Sequence, residues 1–218
     1  MHSFTEENYL KALYKLQEIN GDPVATSALA LVLGVHAPSV TDMLKRMAHK
    51  KLVSYQKSKG SRLTEKGRQV AVGIIRNHRL WEVFLVEKLE FGWDQVHEMA
   101  EQLEHINDEE LVNRLDKYLG FPKADPHGDP IPDANGVVPK SRSVLLATLE
   151  PGQDGIFTGV SDHSPAFLNY LDKSGLALGD KIRIKSIEEF DLSYTLQLKG
   201  KKIVTVSHKV ANSLLIST

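Results

Sequence analysis

The stretch TSALALVLGVHAPSVTDMLKRMAH, residues 26–49, decides how the first part of the chain folds. Apolar residues recur at helical spacing over 26–33, Gly34 ends the run, and Val35-His36-Ala37 makes a turn. Pro38 suits the start of a second helix, where its missing N–H costs nothing. In that helix Val40, Met43, Leu44 and Met47 share one face, and Ser39, Asp42, Arg46 and His49 the other. Two short helices joined by a Gly-containing turn, the second with polar residues outward, predict a helix-turn-helix.

The flanks agree. Upstream, Thr5-Glu-Glu-Asn8 reads as a capped helix start, and Leu10, Leu13, Tyr14 and Ile19 carry the helix to a stop at Asn20-Gly21-Asp22-Pro23. Downstream, residues 52–56 and 62–64 read as two strands around a turn at 57–61, a wing that carries Lys57, Lys59 and Arg62. On duplex DNA, Ser39, Thr41 and Asp42 at the start of the second helix would meet base edges, and Lys57, Lys59 and Arg62 would meet phosphates.

Composition taken whole points the other way. The 218 residues hold 27 Lys plus Arg against 28 Asp plus Glu, a net charge of −1. Polyanion-binding domains are usually basic. The distribution removes the conflict. Between His36 and Arg68 nine basic residues face only Asp42 and Glu65, and between Glu82 and Asp116 eleven acidic residues face only Lys88 and Arg114. A basic segment followed by an acidic one suggests two partners, a polyanion and a cation. The absence of cysteine excludes disulfides, thiolate zinc fingers and a cysteine nucleophile. MHSFTEENYL lacks a signal region and no stretch approaches 18 apolar residues, so the expectation is a cytoplasmic protein without a membrane segment.

Four regions are expected. Residues 1–64 form a winged helix-turn-helix, and residues 65–120 a helical region with helices over 65–89, 93–105 and 108–119. Residues 121–142, with five prolines, read as a linker, and 143–218 as a small β-barrel interrupted by one helix at 165–174. The fold class is α+β. Leu80, Phe84, Leu85 and Leu89 are apolar enough to suggest contact with a second subunit.

The acidic region carries the chemistry. His78 and Glu82 are four apart and share a helix face. On the following helix His97, Glu101, Glu104 and His105 fall within about 100° of arc, bordering the stripe of Val96, Met99, Ala100 and Leu103. Carboxylates gathered on a half-buried face repel one another and lose solvation. A divalent cation removes both costs, and imidazole with carboxylate is an ordinary ligand set for one. Without cysteine sulfur the set favours Mn(II) or Fe(II) over copper, with zinc left open. The alternative is a solvated acidic face.

These residues carry a family resemblance. The order of winged helix-turn-helix, Asn77-His78-Arg79-Leu80 with Glu82, Val96-His97 with Glu101, Glu104-His105, then a small barrel resembles the diphtheria-toxin-repressor family, the iron- and manganese-dependent repressors of bacteria. The resemblance covers essentially the whole chain. It implies a homodimer whose metal-loaded form binds a palindromic operator and shuts off metal-uptake genes, with two Mn(II) or Fe(II) ions per subunit. It implies Glu104 and His105 as primary-site ligands, with Glu101 where manganese-type members have glutamate and iron-type members cysteine. His78, Glu82 and His97 match the ancillary site of the longer members, which a barrel side chain completes, here Asp162 in preference to His163. In the short manganese regulators, the residue matching His78 belongs instead to a paired-metal site.

Two positions depart from the family. Asn8 matches a first-helix ligand that is usually Met or Asp, and Lys11 stands where the short manganese regulators have a second acidic ligand. The residues 143–218 resemble the SH3-like domain of the family and of small ferrous-transport proteins. With no nucleophile or phosphate-binding glycine loop beside the His/Glu set, a regulator is expected rather than an enzyme. The competing readings are a metalloenzyme built on that set and a metal-independent winged-helix adaptor.

Overall fold

A computed structural model describes residues 2–140 and 142–218. It divides into two compact units that do not follow the chain in simple order. The first runs to Trp81 and takes up again Glu101–Tyr118 and Pro132–Val138. The second holds Glu82–Ala100, Leu119–Ile131 and Pro139–Thr218.

The first unit begins with α1 (Phe4–Asn20). Its cap is Ser3 rather than Thr5. Ser3 Oγ accepts from the Glu6 N–H while the Glu6 carboxylate accepts from the Ser3 N–H, a reciprocal box that settles two otherwise orphaned donors. Helices α2 (Thr26–Leu33) and α3 (Ala37–His49) follow, separated by Gly34 at φ 64°, ψ 30°. That left-handed conformation, unfavourable for a Cβ-bearing residue, turns the chain from α2 toward α3. Val40, Met43, Leu44 and Met47 of α3 are buried with Leu10, Leu13, Leu29 and Leu52, so the apolar face read from the sequence is the core face.

β1 (Val53–Gln56) and β2 (Gly60–Leu63) pair antiparallel, with Gln56 opposite Gly60 across the tip. Ser61 exchanges both backbone hydrogen bonds with Val24, which ties the wing to the segment before α2. Thr64 Oγ1 accepts from the Gly67 N–H and so caps α4 (Glu65–Leu89). On α4, Leu80 and Leu85 are buried within the chain itself, and Leu89 is the residue of that group left exposed.

α5 covers Val96–Leu103, shorter than the 93–105 read from periodicity, and α6 covers Glu109–Tyr118. Glu104 and His105 therefore lie in a turn, closed by the Ile106 N–H on the Leu103 carbonyl, and not on the helix. The shared arc computed for an unbroken helix ends at Glu101.

The second unit contains a six-stranded antiparallel sheet in the order β3-β8-β4-β5-β6-β7. The strands are β3 (Val144–Leu145), β4 (Asp154–Val160), β5 (Lys181–Ile187), β6 (Tyr194–Gln197), β7 (Ile203–Val206) and β8 (Leu214–Ser217). Between β4 and β5 lies α7 (Pro165–Ser174), and before β8 the single turn α8 (His208–Ala211). Phe157, Leu168, Leu171, Leu196 and Ile216 are fully buried at its core. Five strands are legible in the sequence. The sixth, β8, sits inside the sheet between β3 and β4.

Candidate metal centres and nucleic-acid face

In the first unit α1 presents Glu7, Asn8 and Lys11 at helical spacing toward the turn after α5. Glu104 is fully buried. Its Oε2 meets His78 Nδ1 at 2.7 Å and Lys11 Nζ at 2.5 Å, while Lys11 Nζ also reaches Glu101 Oε1 at 2.6 Å. Glu104 Oε1 and Asn8 Oδ1 are buried and have no hydrogen-bond partner among the described residues. An unsatisfied buried acceptor costs about 1–3 kcal/mol, more when charged, so these two oxygens fit a cation.

His105 Nδ1 lies 2.5 Å from Glu7 Oε2, and the ring stacks on Phe4 with centroids 4.5 Å apart. A carboxylate holding one imidazole nitrogen is the arrangement that orients a metal-ligating histidine. Glu7, only 2% exposed, also accepts from Asn107 Nδ2 at 2.6 Å, and Asn77 Nδ2 donates to the Glu104 carbonyl at 3.2 Å. Glu7 is a residue the sequence reading missed. Its place in the first turn of a capped helix, where the dipole favours acids, gave it an ordinary structural explanation. The structure ties Glu101 and Glu104 to α1 through Lys11 and His105 to α1 through Glu7, places Asn8 on the same stretch of α1, and adds His78 as the Glu104 partner.

The second unit holds the other cluster. Glu82, Asp125 and His127, all buried, bring one ligand atom each within 4.8 Å of one another. His97 Nδ1 lies 3.1 Å from Glu82 Oε1, and His127 Nδ1 faces Glu82 Oε2 at 3.5 Å, an ion-pair separation too loose for a hydrogen bond. Thus Glu82 and His97 come together as expected, whereas His78 is engaged with Glu104. Asp125 and His127 were missed. They lie in the proline-rich stretch read as a linker, where no periodicity marks them.

A tight loop sets their geometry. Asp125 Oδ1 accepts from the His127 and Asp129 N–H groups at 2.8 and 3.0 Å, and the Val160 N–H donates to the His127 carbonyl at 2.9 Å. Gly128, at φ 90°, passes so close to β4 that a Cβ would lie 2.0 Å from the Thr158 carbonyl oxygen. His127 Nε2 lies 2.8 Å from the Trp93 carbonyl and must be its donor, which leaves Nδ1 to face Glu82. The His163 ring stacks on His127 at 4.7 Å and meets His97 edge-on at 6.0 Å. Asp162, the preferred barrel residue, instead turns Oδ1 to the Ser164 N–H at 2.9 Å. Of that pair, His163 is the side chain seen against the cluster.

Burial alone would lower the His127 pKa, but the facing carboxylates of Glu82 and Asp125 reverse this and raise it to about 9. For His163 burial dominates and pushes the pKa down, with His127 and His97 adding to it against the opposing charges of Asp129 and Glu82. Both clusters offer oxygen and nitrogen without thiolate, a donor set suited to Mn(II), Fe(II) or Zn(II).

The nucleic-acid face is simpler. Ser39 and Asp42 are exposed near the start of α3, and Thr41 is half-buried. Lys57, Lys59 and Arg62 are exposed on the wing. Among the described residues no single helix is long and apolar enough to cross a membrane.

Three family models match in succession. They are the iron-dependent repressor N-terminal DNA-binding domain over residues 1–61, the iron-dependent repressor metal-binding and dimerisation domain over 64–133, and the FeoA domain over 144–218. The iron-dependent repressor IdeR of Mycobacterium tuberculosis is 36% identical over 97% of this chain and 96% of its own. The diphtheria toxin repressor of Corynebacterium jeikeium is 33% identical over 94% and 77%. Among solved structures, a manganese-dependent transcriptional repressor in complex with manganese is 34% identical, covers 98% of this chain and 99% of that one, and superposes with a TM-score of 0.88. The repressor ScaR with bound zinc is 32% identical over 98% and 99%, with a TM-score of 0.77. With α1 joined to Glu104 by Lys11 and to His105 by Glu7, a basic wing beyond α3, and relatives matched from end to end, the chain belongs to the iron-dependent, diphtheria-toxin-repressor family of metal-responsive transcriptional repressors.

Proposed function

We propose that this protein is a Mn(II)- or Fe(II)-responsive repressor that binds a palindromic operator as a homodimer in the cytoplasm and controls metal-uptake genes. It binds two ions per subunit. Asn8, Glu101, Glu104 and His105 hold the first, and Glu82, Asp125, His127 and His97 the second, with Asp162 and His163 as the barrel candidates for a further contact. The observation that carries the reading is the pair of buried, unpartnered oxygens, Asn8 Oδ1 on α1 and Glu104 Oε1 after α5.

A divalent ion there would add positive charge at the buried Glu104 and the partly exposed Glu101. The residues of the chain do the rest. Asn8 couples the charge state of the acids to the position of α1, and α1 packs in the same core as α3. Metal loading then shifts a population of winged-helix arrangements toward one spacing, matched to major grooves about 34–36 Å apart. Ser39, Thr41 and Asp42 read bases, and Lys57, Lys59 and Arg62 supply salt-dependent affinity. The relatives are repressors, and a regulator rather than an enzyme is the reading adopted.

The test is an operator selected from random duplexes and titrated at fixed salt with Mn(II), anaerobic Fe(II), or neither, with bound metal quantified. Affinity is expected to rise on loading with two ions per chain. Equal affinity with and without metal would end the proposal.

A further inference from the structure

Lys11 has no role in that reading, yet it sits at its centre. Its side chain is 6% exposed, and its Nζ lies 2.6 Å from Glu101 Oε1 and 2.5 Å from Glu104 Oε2. A buried ammonium persists only when paired, and both partners here are acids assigned to the first metal centre. Lys11 thus places a cation, carried by α1, on the same two carboxylates through which an ion would hold α1.

We propose that Lys11 is an internal counter-cation. In the metal-free protein it holds α1 against Glu101 and Glu104, and it competes with the divalent ion, so that loading the first centre exchanges one cation for another. The inference rests on the metal-centre reading above and adds what sets its threshold. Glu101 and Glu104 contribute two negative charges, Lys11 removes one, and Asn8 contributes none. From this pair of acids an arriving ion therefore meets one net negative charge instead of two. The centre is tuned to respond only at elevated metal, while α1 keeps part of its docking without any.

The test compares the full-length protein with Lys11→Met, Lys11→Gln and Lys11→Arg. All are made in a His127→Ala background so that ions at the second centre do not enter the count. Mn(II) uptake is read from the loss of the free-ion electron paramagnetic resonance signal, and α1 docking from amide hydrogen exchange in metal-free protein. The two neutral variants are expected to bind Mn(II) about tenfold or more tighter, as removing a positive charge at contact distance requires. They are also expected to exchange α1 amides faster without metal. Lys11→Arg keeps the charge and is expected to stay close to the parent in both. Two neutral variants are used so that a folding failure in one leaves the test standing. Unchanged or weaker Mn(II) binding, or unchanged α1 exchange, overturns the proposal. If the parent with Lys11 intact and both neutral variants take up no Mn(II), the metal-centre reading fails first, and that outcome is distinct from tight binding indifferent to Lys11.

Discussion

At His127 two opposing effects meet, and the carboxylates win. Burial disfavours the imidazolium, but Glu82 and Asp125 hold its pKa near 9, so metal-free protein at pH 7 carries a proton that Nδ1 must give up to bind an ion. Mn(II) binding at the second centre is expected to release close to one proton per site at pH 7, about half of one at pH 9 and almost none above about pH 10.5. Calorimetry in buffers of different ionisation enthalpy measures this, and buffer-independent heats at pH 7 would contradict it. The sign for stability follows. A folded pKa above the unfolded 6.5 stabilises metal-free protein fully below 6.5, and that contribution is lost as pH rises through 9. His127→Ala should abolish the release and leave one bound ion per chain. Half of this cluster was legible. Glu82 and His97 stood out because helical spacing marks ligand faces. Asp125 and His127 did not, because a side-chain-capped loop places them and loops carry no period. The Asp-Pro-His-Gly run was their only signal, and turn chemistry explained it without a metal.

Among the elements, the wing makes the plainest prediction. Lys59 is exposed beside the tip of the β1–β2 hairpin and has a charge but no fixed hydrogen-bonding geometry to read a base. Lys59→Ala is expected to weaken binding on all duplexes alike and to flatten the salt dependence by about one unit of slope. A changed base preference at constant slope would make the wing a reader instead. Ser39→Ala, at the start of α3, should do the reverse, altering preference by about 1–3 kcal/mol at one base pair with the salt slope intact, as measured by binding to single-substitution operators. The sequence marks these elements well because their apolar faces have a clear period. It marks α5 less well. Periodicity carries on through Glu104 and His105, but the helix ends at Leu103, and the turn sends His105 toward Glu7. β8 was missed for another reason. Its four residues gain their place from pairing with β3 and β4, a long-range contact that a local pattern does not record.

For the whole molecule, the near-zero net charge is a sum over a basic winged helix and an acidic metal-binding region, and the proposed palindromic operator calls for two such chains acting together. Leu80 and Leu85 do not supply the surface for this, since both are buried within the chain. Apolar side chains remain exposed elsewhere in the segment matched as the dimerisation domain: Ile106 is 41% and Leu111 40% exposed, while Val112 and Leu115 of the same helix α6 point into the core. Leu111→Asp is therefore expected to leave thermal unfolding of the chain nearly unchanged while weakening self-association, since a desolvated carboxylate at an apolar interface is costly. Operator affinity should fall with it, by about 10² or more, because two half-sites joined in one dimer bind far more tightly than each alone. Sedimentation velocity across a concentration series reads the first effect, and operator titration at saturating Mn(II) reads the second. A dimer that survives the substitution places the interface elsewhere, and a monomer that still binds the full operator with parental affinity would mean that metal acts within one chain rather than on the spacing of two.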